Sequence, residues 1–233
     1  MDVESWKTTA AAEAARLIRD GMVVGLGSGT TVAKIIKAIS DITPNATYVA
    51  SSSSSQKLAD KYGLNLSTLD VHPVLDLAID GADEVDPNFD MLKGHGGAHT
   101  REKIVAGAAK KVAIVVDRTK LVKKLGQHFP VPVEIIPFAR EYTMRKLAEL
   151  GGKPTLRVVS GASPLITDNG NYIVDLKFRA IPDAAKLEQQ INCLPGVIDN
   201  GLFAGVADVL LVGYAGGCKI LKDKESFLKF LSD

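Results

Sequence analysis

Cysteine is scarce: the 233-residue chain has two, Cys193 and Cys218, far apart and outside any Cys-x-x-Cys spacing. A disulfide scaffold is thereby excluded, a reduced cytoplasmic setting is expected, and Cys193 reads as a core filler and not a nucleophile. Long apolar runs are missing as well. None reaches the ~18 residues of a membrane span, and the start MDVESWKTTAAAEAARL lacks the apolar core of a leader, so neither secretion nor membrane insertion is expected. No sign of charge is in excess, with 28 Lys and Arg against 27 Asp and Glu, and no segment combines basic residues with the sparse aromatics. Binding along a nucleic-acid backbone is not expected, and any phosphate the protein holds is small. What is present is ordinary for a globular chain, 46% hydrophobic and 24% charged. A chain of this length buries roughly 70 to 75% of its unfolded surface, so its core needs neither disulfide nor metal.

The hydrophobic pattern alternates between strand and helix periods. Lys7 to Asp20 is Ala-rich at helical spacing, with Gly21 where a helix would stop. Met22 to Leu26 reads as a buried strand, and after a glycine loop Val32, Ile35, Ile36 and Ile39 share one helical face. Further strands are expected at Thr47 to Ala50, Leu75 to Asp80 and Val112 to Asp117, with helices at Ser55 to Tyr62 and Arg101 to Lys110. This alternation predicts an α/β fold, a Rossmann-like, mostly parallel sheet covered on both faces. After Phe129-Pro130-Val131-Pro132 the order becomes strand (Val133 to Ile136), helix (Phe138 to Leu150), strand (Thr155 to Val159), strand (Tyr172 to Phe178), helix (Asp183 to Cys193), strand (Val197 to Phe203). A smaller ferredoxin-like α+β domain over 129–203 is predicted from that βαββαβ order. The strand Asp208 to Gly213 and the helix Lys224 to Leu231 return the chain to the first domain, 1–128 plus 204–233.

Three segments carry candidate chemistry. In Gly25-Leu-Gly27-Ser28-Gly29-Thr30-Thr31 the glycines permit a tight turn, and the following helix offers free N–H groups to an anion. The third glycine of a dinucleotide loop is replaced by Thr30, and the Gly-Lys-Ser/Thr of a nucleotide P-loop is absent, so the loop suits a lone phosphate or is simply a tight turn. Asp80-Gly81-Ala82-Asp83-Glu84-Val85-Asp86 places four carboxylates where an apolar strand ends, the side of an open sheet that borders ligands, or else in a solvated acidic turn. In Lys93-Gly94-His95-Gly96-Gly97-Ala98-His99-Thr100-Arg101-Glu102 the glycines expose N–H groups, and Glu102 enters the first turn of a helix capped by Thr100. Glu102 is there either for chemistry or to complement the helix dipole. His95 and His99 stand four apart in a glycine-rich run, not on the helix an i,i+4 metal pair requires, so no metal site is expected.

Taken together and in this order, GLGSGTT, IDGADEVD, LKGHGGAHTREKI, VDRTK, PVEIIP, TDNGN and PGVIDNGLF resemble the ribose-5-phosphate isomerase type A family over almost the whole chain. The resemblance implies interconversion of ribose 5-phosphate and ribulose 5-phosphate through an enediolate, without cofactor or metal. It implies Glu102 as the base, with Asp80, Asp83 and Lys93 handling ring opening and the sugar oxygens. Ser28, Gly29, Thr30, Thr31, Lys120 and Lys7 would hold the phosphate, and Gly81, Ala82, Gly94, His95 and Gly96 would line the sugar. A small-molecule sugar phosphate is the implied partner, and a homodimer or homotetramer the implied assembly. Similar family members usually carry Gly or Arg at the position of His95 and commonly Leu at His99. A sugar-phosphate sensor would use the same glycine loop without needing Glu102. An amino-sugar phosphate deaminase or an acyl-CoA transferase would also place acids at strand ends.

Overall fold

The computed structural model describes residues 2–159 and 162–232. Helix α1 (Val3–Ala15) starts ahead of Lys7 because the Asp2 carboxylate accepts the Ser5 N–H at 2.9 Å and caps it. It ends at Ala15 and not at Asp20. The N–H groups of Leu17 and Ile18 turn back to Ala14 and Ala15, tightening the last turn, and Gly21 takes the left-handed φ of +81°.

The first wind of the sheet comprises β1 (Val23–Leu26), α2 (Gly29–Ile42), β2 (Thr47–Ala50), α3 (Ser53–Lys61) and the short β3 (Leu66–Ser67). The chain then crosses to β4 (Leu77–Asp80), two short strands β5 (Glu84–Val85) and β6 (Met91–Leu92), α4 (His99–Gly107) and β7 (Val112–Asp117). A second unit follows: β8 (Val131–Ile135), α5 (Arg140–Glu149), β9 (Lys153–Leu156), β10 (Tyr172–Lys177), α6 (Ala184–Asn192) and β11 (Val197–Asn200). Last come β12 (Leu202–Phe203), β13 (Val209–Tyr214), β14 (Gly217–Leu221) and α7 (Lys224–Ser232).

The large sheet has seven strands in the order β14-β13-β7-β4-β1-β2-β3, parallel except for the β13–β14 hairpin. The chain winds outward from β1 in one direction and then restarts at β4 in the other. The carboxyl ends of β1 and β4 therefore border the crevice where an open α/β sheet takes its ligand. On one face Val32, Ile35, Ile36 and Ile39 of α2 pack with the alanines of α1 against Val24, Leu26 and Ile79. On the other, Val105 of α4 and Phe227 and Phe230 of α7 cover Ile114, Val116 and Val212. The small sheet runs β11-β8-β10-β9, antiparallel throughout, the ferredoxin-like order.

Two further expectations are corrected, and one strand is added. The strand expected over Val197 to Phe203 is two: β11 pairs with β8, while β12 joins β6 in a separate three-stranded sheet with β5. The break falls at Gly201, where a Cβ would lie 2.1 Å from the Lys93 carbonyl oxygen, so the chain must bend past that backbone. Strand β14 was not foreseen; it forms because the Ala215-Gly216 turn folds the chain back beside β13. Cys193 is exposed after α6 instead of filling the core. Among the described residues no helix is long and apolar enough to cross a membrane.

Candidate active site

Strand β4 delivers Asp80 to the crevice beside the glycine loop. Its Oδ1 accepts the N–H groups of Gly81 at 2.7 Å and Ser28 at 3.2 Å, and its Oδ2 accepts Lys93 Nζ at 2.9 Å. Lys93 is held from below, its N–H donating to Gly201 O at 2.8 Å, and its ammonium also reaches Gly81 O at 2.6 Å. Glu102 Oε2 lies 3.1 Å from the same ammonium as an ion pair and makes no well-aligned hydrogen bond, so it stays more available than Oε1. Glu102 Oε1 accepts the hydroxyl of Ser28. Ser28 sits at the cap position of α2, yet its side chain makes no cap bond; the hydroxyl is spent on Glu102.

These groups are nearly dehydrated: Lys93 is 4% exposed, Glu102 6% and Asp80 7%. Burial first, and then the negative Glu102, pushes the Asp80 carboxyl up to about 7, against the opposing pull of Lys93. Burial alone would also raise Glu102, but Lys93 and the Ser28 hydroxyl outweigh it and hold Glu102 below the usual carboxylate range. For Lys93, burial disfavours the ammonium; Asp80 and Glu102 together overcome that and raise it. The cluster thus favours a charged lysine and an ionised Glu102, and makes Asp80 the carboxyl that most readily holds a proton.

Above the cluster opens a cavity of about 130 Å³ whose walls include Lys7, Ser28, Gly29, Thr30, Thr31, Gly81, Ala82, Asp83, Lys93, Gly94, His95, Gly96, Glu102 and Lys120. Asp80 lies behind this wall through Ser28, Gly81 and Lys93. The first turn of α2 opens there, so the N–H groups of Gly29, Thr30 and Thr31, which have no partner within the helix, line the cavity with free donors of the kind that suit an anion. Lys120 stacks over Phe129 with its Nζ 5.2 Å from the ring centroid and has no carboxylate partner among the described residues. Lys7 is already paired with Glu4 at 3.0 Å.

The carboxylates at the end of β4 do not act as one group. Asp83 accepts the His95 N–H at 2.9 Å, whereas Asp80 is engaged with Lys93, so a proton shared directly between the two is not the arrangement found. Glu84 is turned away altogether: its carboxylate caps the N–H groups of Gly126, Gln127, His128 and Phe129 at 2.6, 3.3, 2.5 and 3.0 Å. The His95 ring lies edge-on to Phe129 at 5.2 Å on the rim. His99 is fully buried, packed where a Cβ on Gly94 would meet its Nδ1 at 2.7 Å, and burial lowers its pKa. Among the described residues no three His, Cys, Asp or Glu side chains gather in a metal-holding group.

Thr100 does not cap α4. The helix begins at His99, and the Thr100 hydroxyl instead donates to Glu134 at 2.5 Å. Glu134, a buried acid on β8, also accepts Thr167, Asn169 and Asn171 at 2.9, 3.1 and 2.8 Å. Burial would raise this carboxyl, but its four donors hold it below the usual range. Lys103, next to Glu102, is likewise tied to Glu188 at 2.7 Å and Asp199 at 2.8 Å. The small sheet therefore grips the helix turn that carries Glu102. A lone acid inside the apolar run Pro132 to Ile136 is the sequence sign of this role, but spacing alone does not show what it holds because its partners are distant in the chain.

The described family model Ribose 5-phosphate isomerase A (phosphoriboisomerase A) matches residues 47–217. A ribose-5-phosphate isomerase A from Thermosynechococcus vestitus is 50% identical over 217 residues, covering 91% of this chain and 92% of its own. One from Thermomicrobium roseum is 44% identical over 226 residues, covering 95% of both chains. The solved structure of ribose 5-phosphate isomerase A from Methanocaldococcus jannaschii superposes with a TM-score of 0.91 at 42% identity, over 95% of this chain and 100% of that one. A D-ribose-5-phosphate isomerase in complex with phospho-erythronic acid gives 0.92 at 42% identity, with the same coverage. With the glycine loop, the acids after β4 and the Lys93–Glu102 pair arranged around one cavity, these likenesses show that the chain belongs to the ribose 5-phosphate isomerase A family.

Proposed function

We propose that this site interconverts ribose 5-phosphate and ribulose 5-phosphate by moving a proton between C1 and C2. The observation that carries the reading is Glu102: a buried carboxylate held below the usual range, with one oxygen bound to Ser28 and the other paired only with the Lys93 ammonium, in a cavity that opens on a helix N-terminus. The phosphate docks on the N–H groups of Gly29 to Thr31 with the hydroxyls of Thr30 and Thr31, and Lys120 and Lys7 add positive charge. This remote contact fixes the reacting carbons without entering the reaction.

Ribose 5-phosphate arrives as a ring, and the ring must open before C2 becomes acidic. Asp83, on the cavity wall, orients the sugar hydroxyls, and Asp80, behind that wall, takes up the proton this step moves by way of the Lys93 ammonium it holds. Glu102 Oε2 then takes the C2 proton. Negative charge appears on the carbonyl oxygen and is met by Lys93 and the N–H groups of the Gly94 to Gly96 segment, which bear the cost of the enediolate. The C2 hydroxyl proton passes to O1, so that C2 becomes the carbonyl as Glu102 returns its proton to C1 and the ketose forms.

The same reading takes 1–128 with 204–233 as the catalytic domain and 129–203 as the small domain. It takes the protein as a cytoplasmic homodimer or homotetramer: Phe138 is 97% exposed, and Ile136 and Tyr142 nearby also present apolar surface. Light scattering reads the assembly. For the activity, the test is chelator-treated protein supplied with ribose 5-phosphate, followed by ketose formation. Turnover that survives chelation is the expected result, and no turnover sinks the reading.

A further inference from the structure

We propose that Arg157 is a positioning residue for this reaction: it sets the peptide planes of Gly94 to Gly96 so that the Gly96 N–H faces the substrate oxygen that becomes negative. The inference deepens the isomerase reading and rests on it.

Arg157 follows β9 and is 12% exposed. One edge of its guanidinium is committed to Asp175 on β10, with Nε to Oδ2 at 2.9 Å and Nη2 bonded to Oδ1. That bidentate pair leaves Nη1, which donates to two carbonyls of the glycine loop, Gly94 O and His95 O, each at 2.9 Å. No peptide bond here is cis, and in a trans peptide the N–H points opposite to the carbonyl. With the carbonyls of Gly94 and His95 drawn toward Arg157, the N–H groups of His95 and Gly96 are turned the other way. The His95 N–H ends on Asp83 Oδ2 at 2.9 Å. The Gly96 N–H makes no hydrogen bond among the described residues, and Gly96 lines the cavity.

The loop has little stiffness of its own. It closes through Gly97 N–H to Gly94 O at 2.9 Å, with Gly94 and Gly97 at φ +97° and +79°, conformations that glycine enters and leaves easily. A donor that stabilises a developing oxyanion is effective only when it is aimed beforehand. Arg157 supplies the aim, and its fixed charge polarises the same two peptides. A lysine in its place would keep the charge and lose the fork that joins Asp175 to both carbonyls.

The test compares wild type with Arg157→Ala, Arg157→Lys and Asp175→Asn, using ribose 5-phosphate as substrate and phospho-erythronic acid, whose carboxylate presents a planar negative oxygen pair like the enediolate, as inhibitor. For Arg157→Ala, kcat should fall about ten- to hundredfold while KM changes by less than about threefold. Affinity for phospho-erythronic acid should fall by the same factor as kcat/KM, and added guanidinium ion should restore part of the rate. If Arg157→Ala does not fold, Arg157→Lys decides: it too should lose kcat and inhibitor affinity together. A folded Ala or Lys variant with wild-type kcat, or a loss confined to KM, overturns the proposal alone. A wild type that does not turn over ribose 5-phosphate removes the isomerase reading and this proposal with it.

Discussion

Gly27 and Asp80 approach so closely that a Cβ on Gly27 would lie 1.8 Å from the Asp80 carboxyl carbon. The glycine at the end of β1 is therefore there to admit a side chain from β4, and only secondarily to turn the chain. Gly27→Ala should expel the Asp80 carboxylate from its bonds to Ser28 and Lys93, lowering stability by about 1–3 kcal/mol and activity by at least about tenfold. Paired thermal melts and ribose 5-phosphate turnover check this; a fully active Ala variant would contradict the contact.

Glu102→Gln keeps the size of the side chain and an acceptor for Ser28, so the helix-dipole contribution lost is small, about 0.3–1 kcal/mol. An amide cannot hold the carbon proton. Turnover number should fall by about 10²- to 10⁴-fold with substrate still bound, and exchange of the C2 proton with deuterated solvent should fall in parallel. A Gln variant retaining more than about a tenth of kcat would make Glu102 a helix-terminal carboxylate only.

Asp80 gives a pH dependence whose sign can be worked out. Its carboxyl titrates near 7 in the folded protein and at about 3.9 when unfolded. The folded state therefore holds the proton more tightly, and the stability this contributes is complete below about pH 4 and is lost as pH rises through 7. Asp80→Asn cannot ionise. Between pH 5 and 7 the wild type should lose stability relative to the Asn variant by up to about 1.4 kcal/mol per pH unit, measured as denaturation midpoints; a constant difference would show that Asp80 is ionised throughout.

The same Asn variant separates the two directions of the reaction. Ribulose 5-phosphate has no free 5-hydroxyl and stays open, so it needs no ring opening. Asp80→Asn should slow turnover of ribose 5-phosphate by at least about tenfold and that of ribulose 5-phosphate less. Equal losses would move Asp80 into the proton transfer between carbons.

Lys120 has no carboxylate partner among the described residues and lines the cavity, where the proposed reaction gives it the phosphate to hold. Lys120→Ala removes a charge-assisted contact to a group that does not react, which weakens ground and transition states alike. KM should rise about tenfold or more with kcat changed less than about threefold. Steady-state kinetics in both directions read this, and a kcat loss at constant KM would place Lys120 at the reacting end.

Elements whose signals are local were legible in the chain. Apolar periodicity marked β1, α2 and β4, the βαββαβ order marked the small sheet, and the glycine loop marked the start of α2. The joint run of segments from GLGSGTT to PGVIDNGLF pointed to one family, because each places a particular residue type at a strand end or turn. Tertiary structure alone decided which carboxylates meet. Asp80 and Asp83 are neighbours in the chain, yet one faces Lys93 and the other the His95 N–H, while Glu84 is spent capping a distant turn. It alone decided that Thr100 leaves its cap for Glu134, that Gly201 splits a strand to seat Lys93, and that Arg157 reaches the glycine loop from another sheet. Helix and strand patterns repeat over a few residues of one chain segment, whereas a hydrogen bond between side chains depends on where two remote segments bring their atoms to within about 3 Å.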